Sequence, residues 1–174
     1  STRTVAQKRS SLPLEPMAST HKNLSDFATD GLSDVSDKTF AVLVSEWNEE
    51  ITRALADGAC ATLRAHGVPD AQVLVRTVPG SFELPLAAQK MATQDKVHAV
   101  ICLGCVIQGE TPHFDYVCQA VALGIKDVGL KYDKPVVFGV LTTSTVAQAQ
   151  DRAGGKHGNK GDEAAITAIK MLAF

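Results

Sequence analysis

The chain has 174 residues, 45% of them hydrophobic and 21% charged, with a formal net charge of -2. That length suits one domain with a sizeable core, and the few scattered basic residues offer no footing for nucleic acid. No apolar run reaches the roughly 18 residues needed to cross a bilayer, so a membrane is not an expected partner either.

Residues 1–38 are rich in Ser, Thr and Asp, hold Pro13 and Pro16, and are expected to form a mostly mobile N-terminal segment. Within it, residues 1–16 set Arg3, Lys8 and Arg9 against one acid, Glu15, ahead of Met17. They read either as an expression remnant or as the end of an organelle-targeting segment.

From residue 39 a regular alternation begins. Phe40–Val44 is an apolar strand, and the helix after it carries Ile51, Ala54, Leu55, Gly58, Ala59, Thr62 and Leu63 on one face before Gly67 ends it. Gln72–Val78 is the second strand; Pro79-Gly80 then turns into a helix over about 82–94. His98–Ile107 is the third strand. A long helix follows, with Phe114, Val117, Val121, Ile125 and Val128 at spacings of three and four. Pro135–Leu141 is the fourth strand, and about 145–152 and 161–173 read as helices. The strands are continuous apolar runs, not period-two patterns, which calls for a central four-stranded parallel sheet with helices on both faces.

The four cysteines, Cys60, Cys102, Cys105 and Cys118, sit among apolar neighbours. Cys102 and Cys105 form a C-x-x-C, but inside a buried strand and not at a helix start, and no second ligand pair is spaced for zinc. They read as buried free thiols, in keeping with a reducing compartment.

Ligands of such sheets bind beyond the carboxyl ends of the strands. Ser45–Asn48 follows the first strand, Pro79–Glu83 the second, Gln108–Asp115 the third and Thr142–Thr145 the fourth. Singly, each loop has an ordinary reading. Ser81 and Thr111 look like N-caps, Pro112 suits a first helical position, Phe82 could be core, and Trp47 could pack on a neighbour. Together they gather hydroxyls, carboxylates, aromatics and one histidine on one side. His113 would lie in the first turn of the long helix, where the helix dipole disfavours an imidazolium and leaves a ring able to accept a proton. In Asp151–Asp162, Arg152, Lys156 and Lys160 recur every fourth residue among four glycines, leading into a helix. That is either a solvated basic loop or an anion site. G-x-x-x-x-G-K-[ST] and G-x-G-x-x-G are both absent, which disfavours a Walker loop or a nicotinamide dinucleotide.

Trp47-Asn48, Pro79–Pro85, Gly104–Tyr116, Phe138–Thr143 and Arg152–Gly161, in this order, resemble the 6,7-dimethyl-8-ribityllumazine synthase family over about residues 39–173. The resemblance implies a flavodoxin-like, three-layer α/β/α catalytic domain over 39–174. It implies a cytoplasmic transferase, a plastid location not excluded, acting at the penultimate step of riboflavin biosynthesis. That enzyme condenses 5-amino-6-ribitylaminouracil with 3,4-dihydroxy-2-butanone 4-phosphate, with no metal or organic cofactor. Carried over by position, His113 would be the general acid/base, Arg152 the bidentate phosphate ligand and Lys160 an assisting charge, with Lys156 engaged more loosely. Gly109, Glu110 and Thr111 would add phosphate contacts. Trp47, where the family often has Phe, would stack on the pyrimidine, Val106 and Ile107 would touch it through their backbone, and Asn48, Ser81, Phe82 and Glu83 would bind the ribityl chain. Phe138 and the basic loop would come from an adjacent subunit of a homo-oligomer. That oligomer would be a pentamer or an icosahedral shell of twelve pentamers, the short Gly154–Gly158 loop favouring the shell. A non-catalytic binder of riboflavin or a lumazine, a flavodoxin-like electron carrier, and a purely structural shell protein are the competing readings.

Overall fold

The structure, a computed structural model, describes residues 23, 25 and 30–174. The remainder of the N-terminal segment, including the whole of 1–16, lies outside the described residues. Within the described part, Val35 is fully buried against the core and Leu32 packs beside it.

Four parallel strands, β1 (Phe40–Ser45), β2 (Val73–Val78), β3 (Ala99–Ile107) and β4 (Val136–Thr143), form one sheet in the order β2-β1-β3-β4. The central pair is buried on both faces because the alternating side chains of each strand serve two separate cores. Phe40, Val42 and Val44 of β1, with Ile101 and Leu103 of β3, point to one side. They meet α1 (Glu49–Ala65) and α5 (Lys160–Leu172) through Leu55, Leu63, Ile166 and Ile169. Ala41, Leu43, Val100 and Cys102 point to the other side. There they meet α2 (Leu84–Ala92) and α3 (His113–Tyr132) through Leu84, Ala88, Val121 and Ile125. Each large side chain so enclosed stabilises the fold by about 1.5–3 kcal/mol relative to exposure. The result is the three-layer α/β/α sandwich that the uninterrupted apolar runs predict.

The differences lie at element ends. β1 runs to Ser45 and β4 to Thr143. The helix expected from residue 82 is a single 3-10 turn, Ser81–Glu83, followed by α2. Neither predicted N-cap forms. No side chain caps α2 or α3, and Pro112 stands just before the first helical residue, His113. α4 (Val146–Asp151) is capped by Thr145, whose hydroxyl accepts from the Gln148 N–H at 3.2 Å. The basic glycine-rich stretch is not plain loop. It folds as a small antiparallel hairpin of β5 (Ala153–Gly155) and β6 (Gly158–Asn159), with Gly154 at φ +95° and Gly158 at φ +86°. Those positive φ values disfavour any residue with a Cβ.

Candidate active site

The strand order reverses direction between β1 and β3, and the loops that leave their carboxyl ends diverge there, opening a crevice. One side chain bridges it: Asn48 Nδ2 donates to the Cys105 carbonyl at 2.9 Å. Asn48 achieves this from the left-handed region, at φ 59°, which a non-glycine residue adopts at some cost. The constraint places Trp47 at the mouth of the crevice instead of in the core.

A cavity of 690 Å³ opens there, and eight sequence-predicted residues line it: Trp47, Asn48, Ser81, Phe82, Glu83, Val106, Ile107 and His113. Trp47 is 73% exposed and Phe82 60%, so neither is a core or packing residue, and the reading of Phe82 as core is set aside. Two bare glycines shape the walls. A Cβ on Gly80 would stand 3.2 Å from the Trp47 ring and 3.1 Å from a Glu83 carboxylate oxygen. A Cβ on Gly104 would collide with the Ser81 hydroxyl, so Gly104 lets Ser81 sit beneath β3. That hydroxyl is buried and without a hydrogen-bond partner, a cost that a bound polar group would relieve. Ser81 is therefore a donor held under the cavity, not a helix cap.

Tyr116, 71% exposed, lines the same cavity and was not among the expected site residues. Its spacing of three from His113 on one helix face was the available signal. Cys105 also reaches the lining, but burial pushes its thiol up to about 11, and that of Cys102 up to about 12. Both are free and protonated at neutral pH, so neither serves as a nucleophile. Gly109, Glu110 and Thr111 lie in the exposed connection between β3 and α3, adjoining the cavity without lining it.

The remaining expected residues sit elsewhere. Phe138 on the edge strand β4 and Lys160 at the start of α5 line a second cavity, of 840 Å³, bounded by α3, β4 and α5. Among the described residues none lines both cavities. Arg152 stands just before the hairpin, and Nη1 donates to the His157 carbonyl at 2.8 Å. The same nitrogen lies 2.7 Å from Glu163 Oε1, and Lys160 Nζ lies 3.3 Å from Glu163 Oε2. Arg152 and Glu163 side chains are each only 17% exposed. Glu163 is thus the counter-ion of both cations and leaves the trio with net positive charge, a role hidden in the sequence because eleven residues separate it from Arg152. Lys156 is exposed and only loosely paired with Asp151, at 3.9 Å. The chain therefore presents an aromatic, hydroxyl-bearing cavity and, apart from it, a cationic cluster.

The family model described as 6,7-dimethyl-8-ribityllumazine synthase matches residues 37–174. A protein of that name from Cytophaga hutchinsonii is 59% identical over 157 residues, covering 90% of this chain and 98% of the relative. One from Parabacteroides distasonis is 51% identical over 158 residues, covering 91% and 99%. One from Flavobacterium johnsoniae is 51% identical over 155 residues, covering 89% and 82%. On the match to its model and on these identities, the chain belongs to the 6,7-dimethyl-8-ribityllumazine synthase family.

Proposed function

We propose that this chain catalyses the reaction its family is named for, joining 5-amino-6-ribitylaminouracil to 3,4-dihydroxy-2-butanone 4-phosphate to give 6,7-dimethyl-8-ribityllumazine, phosphate and water. The substrate amine attacks the ketone and water leaves to form an imine. Phosphate is then eliminated, and ring closure expels a second water. Each step moves a proton, and His113, exposed at the mouth of the aromatic cavity, is the residue for that role. Trp47 stacks on the pyrimidine, while Ser81, Asn48, Phe82 and Glu83 hold the ribityl chain and Val106 and Ile107 border the ring. Arg152 takes the phosphate as a bidentate ligand, Lys160 adds charge, and the open loop Gly109–Thr111 contributes main-chain and hydroxyl donors. Holding two reactants in register supplies a large share of the acceleration, so the two half-sites must face one another.

The observation that carries this reading is their separation within one chain. Trp47 and His113 line one cavity, whereas Phe138 and Lys160 line another. A second copy whose cationic face closes the aromatic cavity completes the site, and repetition of that contact generates a ring. A pentamer, alone or as the unit of an icosahedral shell, is the assembly we assign. Exposed Leu86, Leu123 and Leu130 on α2 and α3 supply apolar surface for such contacts. The free thiols, Cys102 and Cys105 buried but Cys60 and Cys118 only half-buried, contrary to the expectation for all four, are in keeping with the cytoplasm. The family match and high identities favour the enzyme over a non-catalytic flavin binder or shell protein.

The test is to mix the purified chain with both substrates and follow lumazine absorbance above the uncatalysed rate. Catalysed formation that is lost in Arg152→Ala supports the reaction and the phosphate role. An assembled chain that gives no acceleration overturns the reading.

A further inference from the structure

A close approach between chain segments lies where the hairpin and the first turn of α5 meet the middle of α1. Asn159 is the centre of this seam. Its Nδ2 donates to the Ala54 carbonyl of α1 at 2.9 Å, and its Oδ1 accepts from the Gly161 N–H at 2.7 Å. Its own N–H donates to Ser25 Oγ at 2.6 Å, and that hydroxyl donates back to the Asn159 carbonyl at 3.0 Å. The residue is thus held by four hydrogen bonds to three residues, and one amide side chain supplies a donor and an acceptor at once.

α1 is notched to admit it. A Cβ on Gly58 would lie 2.6 Å from Asn159 Nδ2 and 2.5 Å from Asp162 Oδ1, and a Cβ on Gly161 would overlap the Leu55 carbonyl. Gly58 is in the interior of a 17-residue helix, where glycine costs about 1 kcal/mol relative to alanine. The approach it permits offsets that cost. Asn159 is also wired to the cationic half-site. The next residue, Lys160, donates its N–H to the Arg152 carbonyl at 2.8 Å, and the Arg152 side chain reaches back to the His157 carbonyl. Whatever fixes Asn159 on α1 fixes where both cations stand.

We infer that Asn159, seated in the Gly58–Gly161 notch, is a positioning residue that sets Arg152 and Lys160 at the height needed to grip the phosphate of the substrate. The inference rests on the reading above that Arg152 binds that phosphate. Simple capping of α5 predicts something different, because serine caps a helix about as well as asparagine but cannot reach Ala54.

The experiment measures KM for each substrate, kcat, and inhibition by inorganic phosphate in Asn159→Ser and Gly58→Ala, with Arg152→Ala alongside and sedimentation as the check on assembly. Gly58→Ala approaches the seam from the other side and is a helix-favouring change. We expect both variants to assemble, and to raise the KM of the butanone phosphate and weaken phosphate inhibition about fivefold to tenfold. The KM of the pyrimidine should stay unchanged. Phosphate parameters unchanged in both variants, or both KM values raised alike, would overturn the positioning role while Arg152→Ala still impairs phosphate binding. Arg152→Ala without effect on phosphate would overturn the underlying reading and this inference with it.

Discussion

If the aromatic cavity of one copy is completed by the cationic face of the next, two different broken chains should repair one another. Take His113→Ala and Arg152→Ala, differently tagged, co-expressed and purified through both tags. The first spoils only the 690 Å³ cavity and the second only the charged face, and among the described residues no side chain lines both cavities. Loss of a general acid/base costs about a hundredfold or more. Loss of a charge-assisted hydrogen bond costs ~1.5–3 kcal/mol, about tenfold to a hundredfold. In a randomly mixed ring, half the cavities come from chains with intact His113, and half of the faces closing them come from chains with intact Arg152. About a quarter of the sites are then wholly intact, so the mixture should recover about a quarter of wild-type kcat/KM. The assay is lumazine formation at subsaturating butanone phosphate, with each parent measured alone. A mixture no better than the mean of its parents would refute the shared site, because a site within one chain leaves no chain intact.

Three further outcomes follow from the same geometry. Glu163→Gln removes the carboxylate that competes with phosphate for Arg152 and Lys160, so inorganic phosphate should inhibit about fivefold more tightly, equivalent to ~1 kcal/mol; weaker inhibition would contradict the counter-ion role. Gly104→Ala should displace Ser81, destabilise the fold by about 1–3 kcal/mol in denaturant unfolding and raise the KM of the pyrimidine; an unchanged KM would separate Ser81 from the cavity's function. The Asp162 carboxyl is held above its ordinary value of 3.8 by burial and by the Glu163 charge, against a hydrogen bond from Thr62. An acid so raised favours the fold when protonated, and that contribution fades as pH rises through its folded value. Asp162→Asn should therefore gain in melting temperature over wild type above about pH 4, with the gain vanishing in stronger acid; a gain independent of pH would refute the cause.

The layered fold was legible because β1 and β3 are buried on both faces along most of their length, an environment that uninterrupted apolar runs satisfy. The cavity was legible through the rule that ligands lie beyond the strands' carboxyl ends, which gathers Trp47, Ser81 and His113 on one side. What escaped was set by approach between distant segments. Ser81 and Thr111 match capping residues in composition, yet Ser81 slides under Gly104 and Pro112 stands in the position Thr111 would need. The hairpin at 153–159 has strands of two and three residues, too short for any periodicity, and its form follows from two glycines at positive φ. Glu163 is by sequence one of two acids in the first turn of α5, and only the return of that helix beside the hairpin makes it the partner of Arg152.

The thiols in β3 give the molecule an internal stopwatch. Cys102, wholly enclosed and with its acidity suppressed to about 12, offers an alkylating reagent almost no thiolate and no path while the sheet is closed. Cys60 and Cys118 are half-buried and lie on helices, outside that enclosure. Labelling under rising denaturant, read by mass, should therefore add two modifications early, then Cys105 at the cavity wall, and leave Cys102 last, to the moment the central strands part. Its delay measures the free energy of that opening without any engineered reporter.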